Sequence, residues 1–304
     1  MIITSEHKSF LNNHFSGVQY GEPLKNYSSF RVGGPADAII FPKSSGQLSL
    51  LLSWLKHQQI SWIVIGAGSN ILFDDYGFRG IVICLTNCSS IEWDGKSIKA
   101  NAGVSLKFLC LHAIRHSLAG MNFALGIPGT LGGAIRMNAG AQGGEISDIL
   151  ESIDCISTDG NSHHIKKETL KIGYRQMSWE HVAPGAVISG ATLLLSQTDP
   201  KILRKDAQKK MIQRRKTQPI GCACAGSFFK NPLGHFSAGY LIEQSGLKGF
   251  CLGDACVSQK HANFIMNKGH ATSKEIKALM QHIQHEVHSK FNIKLIPEVN
   301  IIHA

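Results

Sequence analysis

No apolar run in this 304-residue chain approaches membrane-spanning length, and Met1 to Val18 holds no basic segment followed by an apolar one. A cytoplasmic protein with no membrane attachment is therefore expected. C-x2-C pairing is also missing. The eight cysteines (84, 88, 110, 155, 222, 224, 251, 256) fit no common zinc spacing, and in a large chain without an export signal free thiols are expected. His282, His285 and His288 recur every third residue without a carboxylate partner, so they read as a solvated helix face and no metal is expected. Acidic residues are few. Against 31 Lys+Arg stand 21 Asp+Glu, a formal net charge of +10, which points to anionic partners. Nucleic acid is not the expected one, because no RNA-binding aromatic signature or helix-turn-helix pattern accompanies the basic stretch Lys201 to Lys216. A hydrophobic content of 43% in a chain of this length leaves room for one large or two to three modest domains with ample core.

A third glycine is missing too. The β-branched run Trp62 to Ile65 enters Gly66-Ala67-Gly68-Ser69-Asn70, a turn that could bring backbone N–H groups up to a phosphate. A dinucleotide fingerprint G-x-G-x-x-G would need glycine where Ile71 stands, and a helix afterwards. Here Asp74, Asp75, Gly77 and Gly80 lead into Ile81-Val82-Ile83, which reads as turn and strand. A hairpin turn with no ligand fits the same residues. The second glycine-rich stretch, Leu125 to Gly144, is apolar and ordered in composition, so backbone must approach something closely there.

Around these loops helices and strands mix. Ser44 or Ser45 caps a helix with Leu48, Leu51, Leu52 and Leu55 on one face. Asp94-Gly95 turns a hairpin between strands at 90–93 and 97–102, and further strands are expected at 149–157 and 187–195. A basic helix runs to Pro219. Thr272 and Glu275 form a capping box for a last helix. A terminal strand over 292–302 carries Glu298 beside Pro297 among apolar neighbours, where desolvation would suit a carboxyl to catalysis; an exposed edge-strand carboxylate is the alternative.

Several stretches in this order resemble one family, the flavin-dependent UDP-N-acetylenolpyruvoylglucosamine reductases of bacterial peptidoglycan synthesis (MurB). They are Asn26 to Asp37, Gly66 to Leu72, Gly126 to Gly140, Gly173-Tyr174-Arg175, Ala225 to Pro232, Ala238 to Gly249, Lys260 to Asn267 and Pro297-Glu298. The resemblance implies an FAD-binding fold of the vanillyl-alcohol-oxidase type in two subdomains, with a C-terminal α+β substrate domain. Residues 1–75, joined by a terminal strand at 293–304, would form the first subdomain, 76–199 the second, and 200–292 the substrate domain. The short stretch between Arg175 and Ser227 matches the compact branch that lacks a substrate-closing tyrosine loop.

By the same resemblance, non-covalent FAD lies on Arg31, Gly33, Gly66, Ala67, Gly68, Ser69, Asn70 and Ile71, and on Gly129, Thr130, Gly132, Gly133, Ala134, Asn138, Ala139 and Gly140. NADPH is the hydride donor, and UDP-N-acetylglucosamine enolpyruvate the substrate. Arg175 and Glu298 would polarise the substrate carboxylate and Ser227 deliver a proton. Tyr174, Arg214, Lys230, Asn231, Lys248, His261 and Asn263 would hold the UDP-sugar, and a monomer is expected. The surroundings of Ser227, Ala-Gly-Ser-Phe-Phe, are not those of a hydrolase nucleophile elbow. Gln142, Tyr240 and Asp254 depart from the family's usual residues, as do Cys222 and Cys224, which makes alkylation at Cys224 a route to inactivation. A flavin oxidase of small alcohols on the same fold, or a non-catalytic nucleotide-sugar binding protein, are the rival readings.

Overall fold

The computed structural model describes residues 3–234 and 236–303; Met1, Ile2 and Ala304, at the ends of the expected first subdomain (1–75 and 293–304), lie outside them. The chain forms two compact units. One gathers residues 1–20, 37–67 and 80–213, the other 21–36, 68–79 and 214–304. The three-part division expected from sequence drew its lines elsewhere, at 75/76, 199/200 and 292/293. Most of the basic helix Pro200–Thr217 falls in the first unit, where Leu203 and Ala207 are buried and Asn122 Nδ2 bonds the Leu203 carbonyl and the Asp206 carboxylate.

The first unit holds a small sheet ordered Gln19–Tyr20, Ala36–Ile40, Phe78–Cys84, Trp62–Ile65. Trp62 to Ile65 run parallel to Ile81 to Cys84, so the strand after the glycine turn returns beside the strand before it. Helix Ser45–Gln58 begins at Ser44, whose side chain accepts from Gln47 N–H, and Leu48, Leu51, Leu52 and Leu55 are fully buried, as their spacing requires. Each contributes roughly 1.5–3 kcal/mol by leaving water. Beside it an antiparallel sheet of five strands is ordered Ser162–Lys166, Leu150–Ile156, Val187–Leu194, Ser97–Asn101, Ile91–Asp94. Its last hairpin turns at Gly95, with φ +56° and Asp94 opposite Ser97, as the Asp-Gly pair indicated. Helix Leu106–Arg115 follows this hairpin, and Leu106, Leu109, Cys110 and Ala113 form its buried face. The glycine-rich stretch is not all loop. Leu131–Arg136 is a short helix.

In the second unit, helix Ser273–Phe291 starts with the expected capping box and buries Ile276, Leu279, Ile283 and Val287. His282 stacks on Phe250 at 4.6 Å, so that face is not simply solvated. Helix Ala238–Gln244 and a three-stranded sheet, Cys251–Leu252, Ala255–Val257 and Ile265–Asn267, complete the core. Free thiols were expected throughout, but Cys251 and Cys256 face each other across the Gly253-Asp254 turn with Cα atoms 4.1 Å apart and are disulfide-bonded. The terminal strand is shorter than its alternation suggested. Asn292 caps the last helix in the left-handed region (φ +55°), and ladder pairing covers only Asn300–Ile302, parallel to Ile71–Phe73. Among the described residues no helix is long and apolar enough to cross a membrane.

Candidate active site

In the first unit the two glycine loops meet. Trp62–Ile65 delivers Gly66 onto Thr130, and a Cβ on Gly66 would stand 2.2 Å from Thr130 Oγ1. Thr130 is buried at the start of the short helix and bridges Ser105, while Gly129 takes φ +132° and its carbonyl accepts from Leu106 N–H. Leu131 and Gly132 spend their N–H groups on the Val104 and Ala102 carbonyls. Gly132 is a glycine for a different reason, since its Cβ would lie 2.8 Å from that of Ala102. Backbone approach is its contribution, not donation to a phosphate. Gly133, by contrast, has only ordinary contact distance to Thr130.

Beyond the helix, Ala139 N–H donates to the Ala134 carbonyl, and Asn138 is completely buried in a left-handed turn (φ +38°). Its amide donates to Glu145 Oε1 (2.9 Å) and the Gly173 carbonyl (3.3 Å), and its oxygen accepts from Ser147 N–H (3.0 Å). The side chain therefore joins the glycine loop to the hairpin Lys171–Gly173/Gln176–Ser178. Glu145, unmarked by the sequence reading, also accepts from Ser147 Oγ, and its spacing to Asp148 was a capping signal that could have found it. At the tip of that hairpin Arg175 adopts φ +54°, a conformation uncommon outside glycine that recurs at functional sites. Its guanidinium donates to the Gly140 carbonyl at 2.6 Å and lies 5.2 Å from the centre of the exposed Tyr174 ring.

The second unit holds the rest of the first glycine turn. Gly68 is buried at φ +62° against Tyr27, where a Cβ would fall 1.8 Å from the carbonyl oxygen, and its own carbonyl accepts from Ser29 N–H. Arg31, exposed at φ +57°, and Gly33, whose Cβ would strike Phe73, continue this wall. Ala67, the last residue of the turn in the first unit, is exposed; Ser69 and Asn70 are half-buried, and Ile71 begins the strand paired with Asn300.

Asn70 Nδ2 donates to the Glu298 carbonyl (3.1 Å), and Glu298 N–H donates to the Phe228 carbonyl (2.8 Å). Phe229 bridges Pro297, and Lys230 N–H donates to the Ile296 carbonyl. Ser227 thus leads a segment laid directly along the one that carries Glu298. Buried Asn263 locks this segment: its side chain accepts from Phe229 N–H (2.9 Å) and donates to the Phe229 carbonyl (2.8 Å). It was expected to line the substrate site; its amide oxygen and nitrogen are both bonded to the backbone of Phe229, two residues after Ser227.

Asn231 Oδ1 accepts from Ala238 N–H at the start of the short helix, and Lys248 pairs with Glu243 at 2.7 Å. His261 lies beside Gly239 and its Nδ1 accepts from Asn263 N–H. Burial, then the nearby Lys248 charge, pulls its pKa below the ordinary value and favours the neutral ring. Arg214 is half-buried, and desolvation lowers its pKa as well.

Residues 36–166 match the family model described as FAD binding domain, and residues 218–302 match UDP-N-acetylenolpyruvoylglucosamine reductase, C-terminal domain. The UDP-N-acetylenolpyruvoylglucosamine reductase of Clostridium kluyveri is 41% identical, with 94% of this chain and 93% of the relative covered. That of Clostridium tetani is 40% identical over 98% of each chain. The crystal structure of the Thermus caldophilus reductase (MurB) superposes with a TM-score of 0.80 at 33% identity, covering 93% of this chain and 98% of that one. The α+β FAD-binding fold with its own C-terminal domain, expected from the sequence, is therefore the fold of this protein, and it is an FAD-dependent oxidoreductase. On near-full-length identity of this order, the chain belongs to the UDP-N-acetylenolpyruvoylglucosamine reductase family.

Proposed function

We propose that the chain reduces UDP-N-acetylglucosamine enolpyruvate to UDP-N-acetylmuramate with NADPH, a cytoplasmic step of peptidoglycan synthesis, and that it works as a monomer. The observation that carries this reading is the backbone pairing of the Ser227 and Glu298 segments, fixed by Asn263. The glycine turn suits FAD: Gly66 and Gly68 pack so tightly on Thr130 and Tyr27 that a Cβ at either would displace the backbone proposed to meet the cofactor. Gly66, Ala67, Gly129, Thr130, Gly133, Ala134, Ala139 and Gly140, with Arg31, Gly33, Gly68, Ser69, Asn70 and Ile71, would hold it. When bound, FAD supplies the two-electron carrier between NADPH and the terminal carbon of the enolpyruvyl group.

The remaining work falls to side chains. Reduction of an enolpyruvyl ether builds negative charge on the ether-bearing carbon and its carboxylate. Arg175, its guanidinium anchored on the Gly140 carbonyl, presents a fixed cation for that charge, with Glu298 as its partner in polarising the carboxylate. Ser227 donates the proton that completes the product. A hydroxyl is a weak acid, but an enediolate-like carbanion is a strong base, so the transfer is matched. Lys230, Lys248, Arg214, Asn231 and Tyr174 bind the diphosphate and sugar, and much of the +10 charge then serves polyanionic ligands.

The test is NADPH oxidation by the yellow protein with and without the enolpyruvyl sugar. Ser227→Ala should retain flavin reduction by NADPH and lose product formation by about 10²–10⁴-fold. Normal turnover by that variant would remove Ser227 as the donor. A colourless protein that releases no flavin on heating would remove the proposal as a whole.

A further inference from the structure

Cys222 and Cys224 stand just upstream of Ser227 and have no part in the reaction. Ala223 between them accepts from Asn267 N–H at 2.8 Å, adding an outer position to the three-stranded sheet. Residues two apart in an extended segment leave it on the same face, normally about 7 Å apart. Here the segment bends so that the two sulfurs approach to 3.4 Å, with Cys222 S–H donating to Cys224 Sγ. Both are half-buried; Cys224 packs against the core of the second unit, and burial pushes its thiol up to about 12. The arrangement is two partly exposed thiols in contact, both within reach of a small reagent. The other four free cysteines are all buried. Gly226, two residues after Cys224 and at φ +76° with nothing within 4 Å of its Cβ position, adjoins Ser227.

We propose that Cys222 and Cys224 form a dithiol modification site, which a low-molecular-weight disulfide converts to an intrachain disulfide and so suppresses product formation. The Cys222 thiolate attacks one sulfur of the small disulfide, breaking its S–S bond and releasing one small thiolate, which takes up a proton. Cys224 then loses its proton and attacks Cys222 Sγ in the mixed disulfide, expelling the second small thiol. Two protein thiols are oxidised by two electrons, and one small disulfide is reduced to two thiols. Closing the bond draws the sulfurs from 3.4 Å to about 2.0 Å and pulls on the backbone three residues before Ser227, so the turn carrying Ser227 shifts. Bond formation stands on geometry alone; the loss of activity rests on the role proposed for Ser227.

The holoenzyme is treated with glutathione disulfide, quenched with N-ethylmaleimide and digested with trypsin. Cleavage after Lys216, Lys230, Lys248 and Lys260 puts Cys222 and Cys224 on one peptide and Cys251 and Cys256 on another, so the two pairs are read separately. The first peptide should be unalkylated and two mass units lighter than its dithiol form, reversibly with dithiothreitol. Product formation should fall by about 10²-fold, the size of effect a small misplacement of a reacting group produces, while flavin reduction by NADPH persists. Cys222→Ser and Cys224→Ser variants should keep their activity through the treatment. Full alkylation of both cysteines, or a glutathione adduct that stays on Cys222, overturns the site. An intact linkage with undiminished product formation overturns its effect on Ser227. Untreated protein that never turns over the sugar counts against the proposed reaction only, and the peptide map still decides the site.

Discussion

Gly66 and Gly68 sit two residues apart and resist substitution for different reasons. At Gly66 the obstacle is a side chain, Thr130 Oγ1 at 2.2 Å; at Gly68 it is backbone, the Tyr27 carbonyl at 1.8 Å, combined with φ +62°. Side chains can turn or be trimmed, whereas a backbone carbonyl moves only with its chain. Gly66→Ala should therefore lose FAD, and a Thr130→Ala change in the same chain should restore part of it. Gly68→Ala should lose FAD without such rescue and cost about 2–4 kcal/mol of stability from strain and overpacking. Flavin absorbance per protein after gel filtration, with thermal melts, separates the two. Equal flavin retention in both single variants would contradict this account. The same kind of reasoning redefines Asn138 and Asn263, whose side-chain bonds hold backbone in place.

At the scale of elements, the last helix is anchored by residues outside it. Besides its own capping box, Ser273 N–H and Lys274 N–H donate to the two Asp75 carboxylate oxygens at 2.7 and 3.1 Å, a carboxylate set against the positive end of the helix. Asp75→Ala should lower stability by roughly 1–2 kcal/mol, read as a shift in thermal midpoint with flavin content per folded protein unchanged. One turn further on, Lys277 pairs with Asp74 at 2.7 Å, and both are half-buried. The hydrogen bond from Lys277, followed by that from Tyr76 N–H, holds the Asp74 carboxyl below its ordinary pKa. The unfolded chain then takes up this proton at higher pH than the folded one. The pair's contribution is complete above the ordinary carboxylate range and is lost as pH falls through the depressed value. Lys277→Met should be clearly less stable than the parent at pH 7, with the difference shrinking toward pH 3. A pH-independent difference would mean that the Asp74 shift has another origin.

At the scale of the molecule, each compact unit is assembled from segments far apart in sequence, and the border at 67/68 falls inside the first glycine turn. Residues proposed for FAD accordingly occur in both units. A ligand that binds only the folded chain stabilises by mass action, about 2.7 kcal/mol at one hundred times its dissociation constant. Calorimetry of FAD-free protein should resolve whether the units melt together, and added FAD should raise the melting of both. A rise confined to one unit would restrict the cofactor to the glycine turns of that unit.

Local rules in the sequence determined much of this. Leucine spacing at 48 to 55, the Ser44 and Thr272 caps, the Asp94-Gly95 turn and the isoleucine in place of a third glycine depend on neighbours a few residues away, and all are present as read. The strand after Asn70 excluded a dinucleotide-binding helix from sequence alone. Tertiary structure decided what depends on distant partners. Only the fold puts Thr130 under Gly66, spends the Asn263 amide on Phe229, sets Asn267 to donate to the Phe30 carbonyl 237 positions away, and brings Cys251 opposite Cys256 as a bonded pair. Composition and periodicity report which face of an element is apolar. Which buried polar group meets which carbonyl follows from where the chain returns, because a buried amide must find its partner wherever the fold supplies one.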